Sequence, residues 1–296
     1  MERVLARKKV SLLVKRYDEI TKEIRKIAKE LLENNKVEKI IGFGKGLILD
    51  EITPIFISKV EDVDRLEFTP EAENSLAKYL LNYKGRNVAI VAKPCDSRAI
   101  ASYLSENLIN RDEVIIIGIN GCPGIEDNTA CNECDIRNAV IGDYYVGDKM
   151  SEEDIQKELK EKDNKIEKMS PKERMEYFRS EFERCTRCYA CREACFICYC
   201  EECFTDSNQP NWIKESVSLN DNFTYHIMRA MHMAGRCVNC GACEMACPEG
   251  IDVRALEAKM VRVADEIFEY RAGVDPEQKT LLAEYDVNDS QKGFMD

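Results

Sequence analysis

The run Cys237-Val-Asn-Cys240-Gly-Ala-Cys243-Glu-Met-Ala-Cys247-Pro248 has the spacing C-x2-C-x2-C-x3-C-P, and Cys185, Cys188, Cys191 and Cys195 repeat it without the proline. Eleven of the chain's 15 cysteines lie between Cys185 and Cys247. Paired runs of this spacing hold two 4Fe-4S cubes, each cube taking three thiolates from one run and the remote fourth cysteine of the other. The expected sets are therefore Cys185, Cys188, Cys191 with Cys247, and Cys237, Cys240, Cys243 with Cys195. Phe196 stands where the first run would carry its proline. That change does not block ligation by Cys195.

The bulk composition agrees with metal binding and disfavours other uses of cysteine. At 296 residues the chain is long enough for about two domains that bury their own cores without disulfides. Met1 to Lys9 is basic, and the apolar run of a secretory signal does not follow it. Clustered C-x2-C spacing in such a chain reads as a metal framework in a reducing, cytoplasmic setting. No apolar window long enough to span a bilayer occurs. The net charge of -12 argues against nucleic acid, whose binding normally needs a basic surface.

Upstream of the cysteine-rich stretch the pattern is that of an α/β domain. From Ser11 to Asn35 the residues Leu13, Tyr17, Ile20, Ile24, Ile27 and Leu31 recur at helical spacing. Lys39 to Phe43 and Pro54 to Ile57 suit short buried strands, and Glu71 to Leu81 suits a helix. Asn87 to Ala92 and Val114 to Ile119 are continuous apolar strands with a helix, Ser97 to Asn107, between them. That order predicts a small, mostly parallel sheet covered on both faces. Ligands of such sheets bind beyond the carboxyl ends of the strands. Cys95 and Cys122 follow the two clearest strands, and Cys131 and Cys134 come soon after. These four cysteines are expected to converge from loops on one further cluster.

The expected organisation is an α/β domain over residues 1–150 and a charged helical linker over 151–184. An α-rich, ferredoxin-like two-cluster domain with an insert over 185–270 and an acidic tail over 271–296 complete it. Ser170, Pro171 and Glu173 carry a capping box that starts the helix leading to Cys185. The insert holds Cys198, Cys200 and Cys203. Eight ferredoxin-type ligands and four in the first domain leave these three of the 15. They could hold a fourth cluster completed by an outside or non-cysteine ligand, bind zinc, or remain reduced thiols. His226 and His232, the only histidines, read as structural or exposed, and the Met and Tyr residues near them as core over the clusters. Gly42, Gly44 and Gly46 follow a strand and could approach a flavin, but they lack the spacing of a dinucleotide fingerprint, and such a run is more often a tight turn. The motif set of an NTPase, an acyl hydrolase or a metalloprotease is missing.

The segment Lys93-Pro94-Cys95-Asp96-Ser97-Arg98-Ala99-Ile100, with Val114 to Gly124, resembles the beta-subunit family of deazaflavin-coenzyme-linked hydrogenases and formate dehydrogenases. Arg187 to Cys203 and Ala234 to Cys237 resemble the dicluster part of iron-sulfur subunits in formate dehydrogenases, hydrogenases and heterodisulfide-reductase-type complexes. The resemblance implies a subunit that relays electrons through several 4Fe-4S clusters to other subunits of a redox complex, without its own substrate site. It also implies one alternative, an FAD-containing subunit that reduces or oxidises the deazaflavin coenzyme. From the cysteines alone, a zinc-stabilised scaffold is a third reading.

Overall fold

A computed structural model describes residues 2–46, 51–125, 128–159 and 165–281. The chain begins with a long helix, α1 (Glu2–Glu33), followed by β1 (Lys39–Lys45) and β2 (Ile52–Ile57). Next come β3 (Val88–Ala92), α2 (Pro94–Ser105), β4 (Val114–Ile119), α3 (Thr129–Asn132) and β5 (Tyr144–Val146). The five strands form one sheet in the order β2-β1-β3-β4-β5. Only β2 runs antiparallel; the other three pairings are parallel, with Val88 opposite Val114 and Ile117 opposite Tyr144. All five residues of β3 are buried, so both faces of the sheet centre are covered. The expected α/β class and mostly parallel sheet are therefore found.

On α1 the residues Tyr17, Ile20, Ile24, Ala28 and Leu31 are buried and form the stripe that its helical period requires. Leu13 lies outside the residues whose side chains are described. The expected helix over Glu71 to Leu81 is instead a 3-10 helix, Ala77–Tyr83, preceded by turns. Asp96 accounts for this shape: its Oδ1 accepts from Ser75 Oγ at 2.8 Å and from the Leu76 amide at 3.0 Å. The segment is thus fixed to α2 before a regular helix can form. Gly42 and Gly44 lie inside β1, opposite Ile55 and Thr53, rather than in a turn. A Cβ at Gly42 would stand 2.5 Å from Leu66 Cδ2, and one at Gly44 2.2 Å from the Arg65 carbonyl oxygen. Close packing of the chain at Arg65 and Leu66 accounts for both glycines.

The second half is helical: α4 (Glu152–Glu158), α5 (Lys165–Lys168), α6 (Pro171–Glu183), α7 (Ala190–Ala194), α8 (Leu219–Met233), α9 (Ala242–Met245) and α10 (Arg254–Phe268). Ser170 and Glu173 form the expected capping box at the start of α6, with Pro171 in its first turn. Phe178 and Phe182 of this helix are buried with Tyr225, Ile251 and Val253, a small core that carries Cys185, Cys191 and Cys243. On α10 the buried face is not the apolar one that helical spacing predicts through Val253, Leu256, Met260, Val263 and Ile267. Val263 is only half-buried and Ile267 exposed, while Arg254, Glu257, Ala258 and Ala264 face inward. An ion pair between Glu257 and Arg229 of α8 turns the helix this way.

Packing crosses the expected linker. Phe196, Ile197, Met233, Val238, Tyr270 and Ala272 belong to the same core as the sheet. Phe196, the residue in the proline position, is 2% exposed; its ring meets Tyr103 of α2 at 5.6 Å, and its carbonyl accepts from the Tyr103 hydroxyl. Arg98 of α2, 5% exposed, donates to the Val238 carbonyl at 2.9 Å and to the Ala272 carbonyl at 3.2 and 2.8 Å. Charge-assisted bonds of this kind contribute about 1.5–3 kcal/mol each. The start of the acidic tail is consequently docked rather than loose, since Ser105 also donates to Pro276. The rest of the tail, 282–296, lies outside the described residues. Among the described residues no helix is long and apolar enough to cross a membrane.

Candidate metal centres

Cys185, Cys188, Cys191 and Cys247 line a single cavity of about 20 Å³, together with Tyr225 and His226. These are the four residues expected from the paired runs. The local backbone explains how short loops present them. Arg187 and Tyr189 of the first run have φ of 54° and 62°, and Asn239 and Gly241, at the corresponding places of the second, have 56° and 76°. This left-handed geometry aims amides at sulfur: Arg187 N–H donates to Cys185 at 3.4 Å and Asn239 N–H to Cys237 at 3.3 Å. Ile251 N–H does the same for Cys247 at 3.4 Å. Donors of this kind stabilise negative charge on sulfur and tune a cluster's potential.

Cys195, Cys237, Cys240 and Cys243 form a second group. Cys237, Cys240 and Cys243 each feel the charge of Cys195, Cys237 and Cys243 also feel that of Cys240, and burial pushes Cys240 up to about 11. Cys195 departs in the other direction. Its neighbour Cys198, as hydrogen-bond partner, holds its thiol below the ordinary range.

The first-domain cysteines also come together. Cys95, Cys122, Cys131 and Cys134 line one cavity of about 50 Å³ at the carboxyl edge of the sheet, and Cys240 completes its wall. Two of the four stand on helices rather than loops: Cys95 in the first turn of α2 and Cys131 in α3, where Asn128 caps the Cys131 amide at 2.9 Å. Burial raises Cys95 well above an ordinary thiol and Cys122 to about 11. Ligation to a cationic centre is what would remove those protons. Positive charge is already at hand. Lys93, 4% exposed, donates to the carbonyls of Ala72, Glu73 and Asn74. Burial works against its ammonium, but Asp96 and the thiols of Cys95, Cys122 and Cys131 outweigh it and raise its pKa. Arg137 bonds the Cys131 carbonyl at 2.7 Å. Gly42, Gly44 and Gly46 are not among the residues lining this cavity.

Among the described residues no three Cys, His, Asp or Glu side chains are grouped tightly enough to hold a single metal ion. A cube is wider than an ion, and sulfur ligands spread around a cavity suit it better than the ~2.3 Å bonds that draw four ligands onto one zinc. The thiol sets, their amide donors and the nearby cations thus fit 4Fe-4S clusters.

His226 is buried, stacked on Phe182 at 4.3 Å, with Nε2 3.4 Å from Cys185 Sγ. Burial and then Arg229 lower its pKa to about 3, so a neutral ring supports the first set. His232 is exposed. The expectation that the nearby Met and Tyr residues form core holds for Tyr225 and Met233 but not for Met228 and Met231, which are 40% and 56% exposed. Sequence reasoning missed Arg229 as a site residue. It is 3% exposed, paired with Glu257, and close enough to Cys195, Cys243 and Cys191 to feel both cysteine sets. Its only sequence signal is a charge on the inner stripe of α8.

Known proteins match this chain in sequence over the cysteine-rich part and beyond it. Residues 181–251 match the model of the 4Fe-4S dicluster domain, so this part of the chain is a 4Fe-4S unit. The chain is similar to the F420-dependent formate dehydrogenase subunit beta of Methanocaldococcus jannaschii, at 24% identity across 83% of this chain and 90% of the relative. It is also similar to the F420-dependent formate dehydrogenase 1 subunit beta of Methanococcus maripaludis, at 33% identity across 32% of this chain and 25% of that relative. The resemblance expected from the sequence is found in both.

Proposed function

We propose that this chain is an electron-transfer iron-sulfur subunit of a multi-subunit oxidoreductase of the formate dehydrogenase type. Three cysteine sets serve it as 4Fe-4S sites. Cys185, Cys188, Cys191 and Cys247 form the outer one, where Cys188 is exposed. Cys195, Cys237, Cys240 and Cys243 form the middle one, and Cys95, Cys122, Cys131 and Cys134 the one at the sheet edge. Such clusters supply reversible one-electron chemistry at potentials set by their surroundings.

The observation that carries this reading is the position of Cys240, which belongs to the middle set yet lines the cavity of the sheet-edge set. A member of one set standing in the wall of another set's cavity leaves little insulating protein between them. Arg229 links the middle and outer sets in the same way, and its charge favours the reduced, more negative state of each. The exposed Met228, Met231 and Trp212 add apolar surface suited to a neighbouring subunit.

Anaerobic purification followed by iron and sulfide analysis tests the reading. About 12 irons or more per chain, with spin coupling between reduced centres in electron paramagnetic resonance, are expected. A folded, colourless, iron-free protein would overturn it, and zinc in place of iron would establish a scaffold instead. Co-purifying FAD with deazaflavin turnover by the isolated chain would replace the relay by a flavoenzyme.

A further inference from the structure

Cys198, Cys200 and Cys203 line one cavity, and it is unlike the others. Its volume is about 560 Å³, against about 20 Å³ beside Cys185 and about 50 Å³ beside Cys95. A space this large lies in the range of small-molecule sites, roughly 300–1,000 Å³, and far exceeds what the thiols of a closed cluster enclose. Its wall also carries Arg229, whose buried Nε has no hydrogen-bond partner. A buried N–H of a cation left without an acceptor is costly, and an anion in the cavity would relieve that cost.

We propose that Cys198, Cys200 and Cys203 hold a further 4Fe-4S cluster whose fourth iron has no protein ligand and binds a small anionic molecule in this cavity. Three thiolates leave one iron of a cube without sulfur from the chain. Of the carboxylates on the wall, Asp206 is held by Arg192 at 2.9 Å and Glu193 by Lys78 at 3.1 Å, while Glu201 is exposed. Binding is a ligand exchange in which water leaves the iron and the anion's donor atom takes its place, with no change in oxidation state. Cys198 is a close neighbour of Cys195 of the middle set, so the site lies directly beside the relay. A relay with such a branch has a point at which a small molecule can be bound or sensed.

The proposal rests on the relay reading, and the test separates the two. The full chain is purified anaerobically as wild type, as Cys198→Ser/Cys200→Ser/Cys203→Ser and as His232→Ala, then titrated with cyanide. The expected result is about 16 irons for wild type and His232→Ala and about 12 for the triple variant. Cyanide should change one electron paramagnetic resonance signal in the first two proteins and none in the triple variant. Equal iron in wild type and triple variant, at about 12, would overturn the proposal and leave the relay intact. Loss of a cluster in His232→Ala, or a wild-type spectrum indifferent to cyanide, would overturn the open iron. The cyanide response is read on wild type, so it decides the matter even where the triple variant folds poorly. Fewer than about 12 irons in wild type would instead count against the relay reading itself.

Discussion

Cys95 and Cys240 face one cavity although they come from opposite halves of the chain. Cys95 reaches it from the first turn of α2, immediately after the central strand β3, and Cys240 from the loop before α9. Negative charge on Cys240 adds to the electrostatic cost of ionising the buried Cys95 thiol. This contact makes the ferredoxin-like part a continuation of the sheet-edge site.

Cys240→Ser should therefore do more than remove one ligand. Iron content should fall by about four per chain, and the spin coupling of the sheet-edge centre to its neighbour should disappear. Metal analysis with electron paramagnetic resonance reads both. An unchanged spectrum would refute the assigned set.

Gly241 has φ of 76°, and a Cβ there would stand 2.7 Å from Ala130 Cβ. The corresponding position of the first run, Tyr189, tolerates the same left-handed geometry with a full side chain. Contact with α3, more than backbone strain, thus requires glycine. Gly241→Ala should cost about 1–3 kcal/mol from the backbone alone and more from the clash, measured by anaerobic denaturant unfolding. Gly250→Ala, at φ 57° with no atom within 4 Å, should show only the backbone part.

Arg229 and Glu257 are 3% and 4% exposed at their side chains, and burial raises the Glu257 pKa to about 7. Removing one member leaves a buried charge without its partner. Arg229→Met should destabilise the protein by about 3–5 kcal/mol, and adding Glu257→Leu should restore most of that loss. Potentiometric titration of Arg229→Met should also show the neighbouring clusters becoming harder to reduce, because a nearby positive charge is gone. Potentials that stay fixed would remove Arg229 from the relay.

The Tyr103 hydroxyl donates to the Phe196 carbonyl inside the shared core. Tyr103→Phe leaves that carbonyl unpaired and should cost about 1–3 kcal/mol in urea unfolding. The outer site at Cys185 draws on the separate small core around Phe182 and Tyr225, so its spectrum should persist. Loss of the outer signal as well would mean that the two halves fold as one unit.

How much of the fold is legible in the sequence differs by element. Strand β4 is legible to the residue, because five apolar residues and one glycine bounded by polar ones permit little else. The capping box at Ser170 is equally plain, since it is a contact among residues three apart. The shape of Glu71 to Leu81 is not legible, because it depends on Asp96, which lies on another element. The inward stripe of α10 is hidden for a related reason: a buried glutamate looks like a surface residue until its arginine is known.

The sequence by itself determined the spacing on which the ligand sets of the paired runs are proposed, because each run brings three cysteines together through a few backbone angles and the duplicated run offers the fourth. It also determined the sheet class, since burial on both faces demands continuous apolar strands. Only the tertiary structure decided that Cys240 joins the sheet-edge cavity, that Arg229 lies between two cysteine sets, and that Cys198, Cys200 and Cys203 open onto a large space. Those relationships arise where helices and loops far apart in sequence pack together. Packing of that kind is set by side-chain shape and charge across the whole core, and it leaves no period or spacing to read.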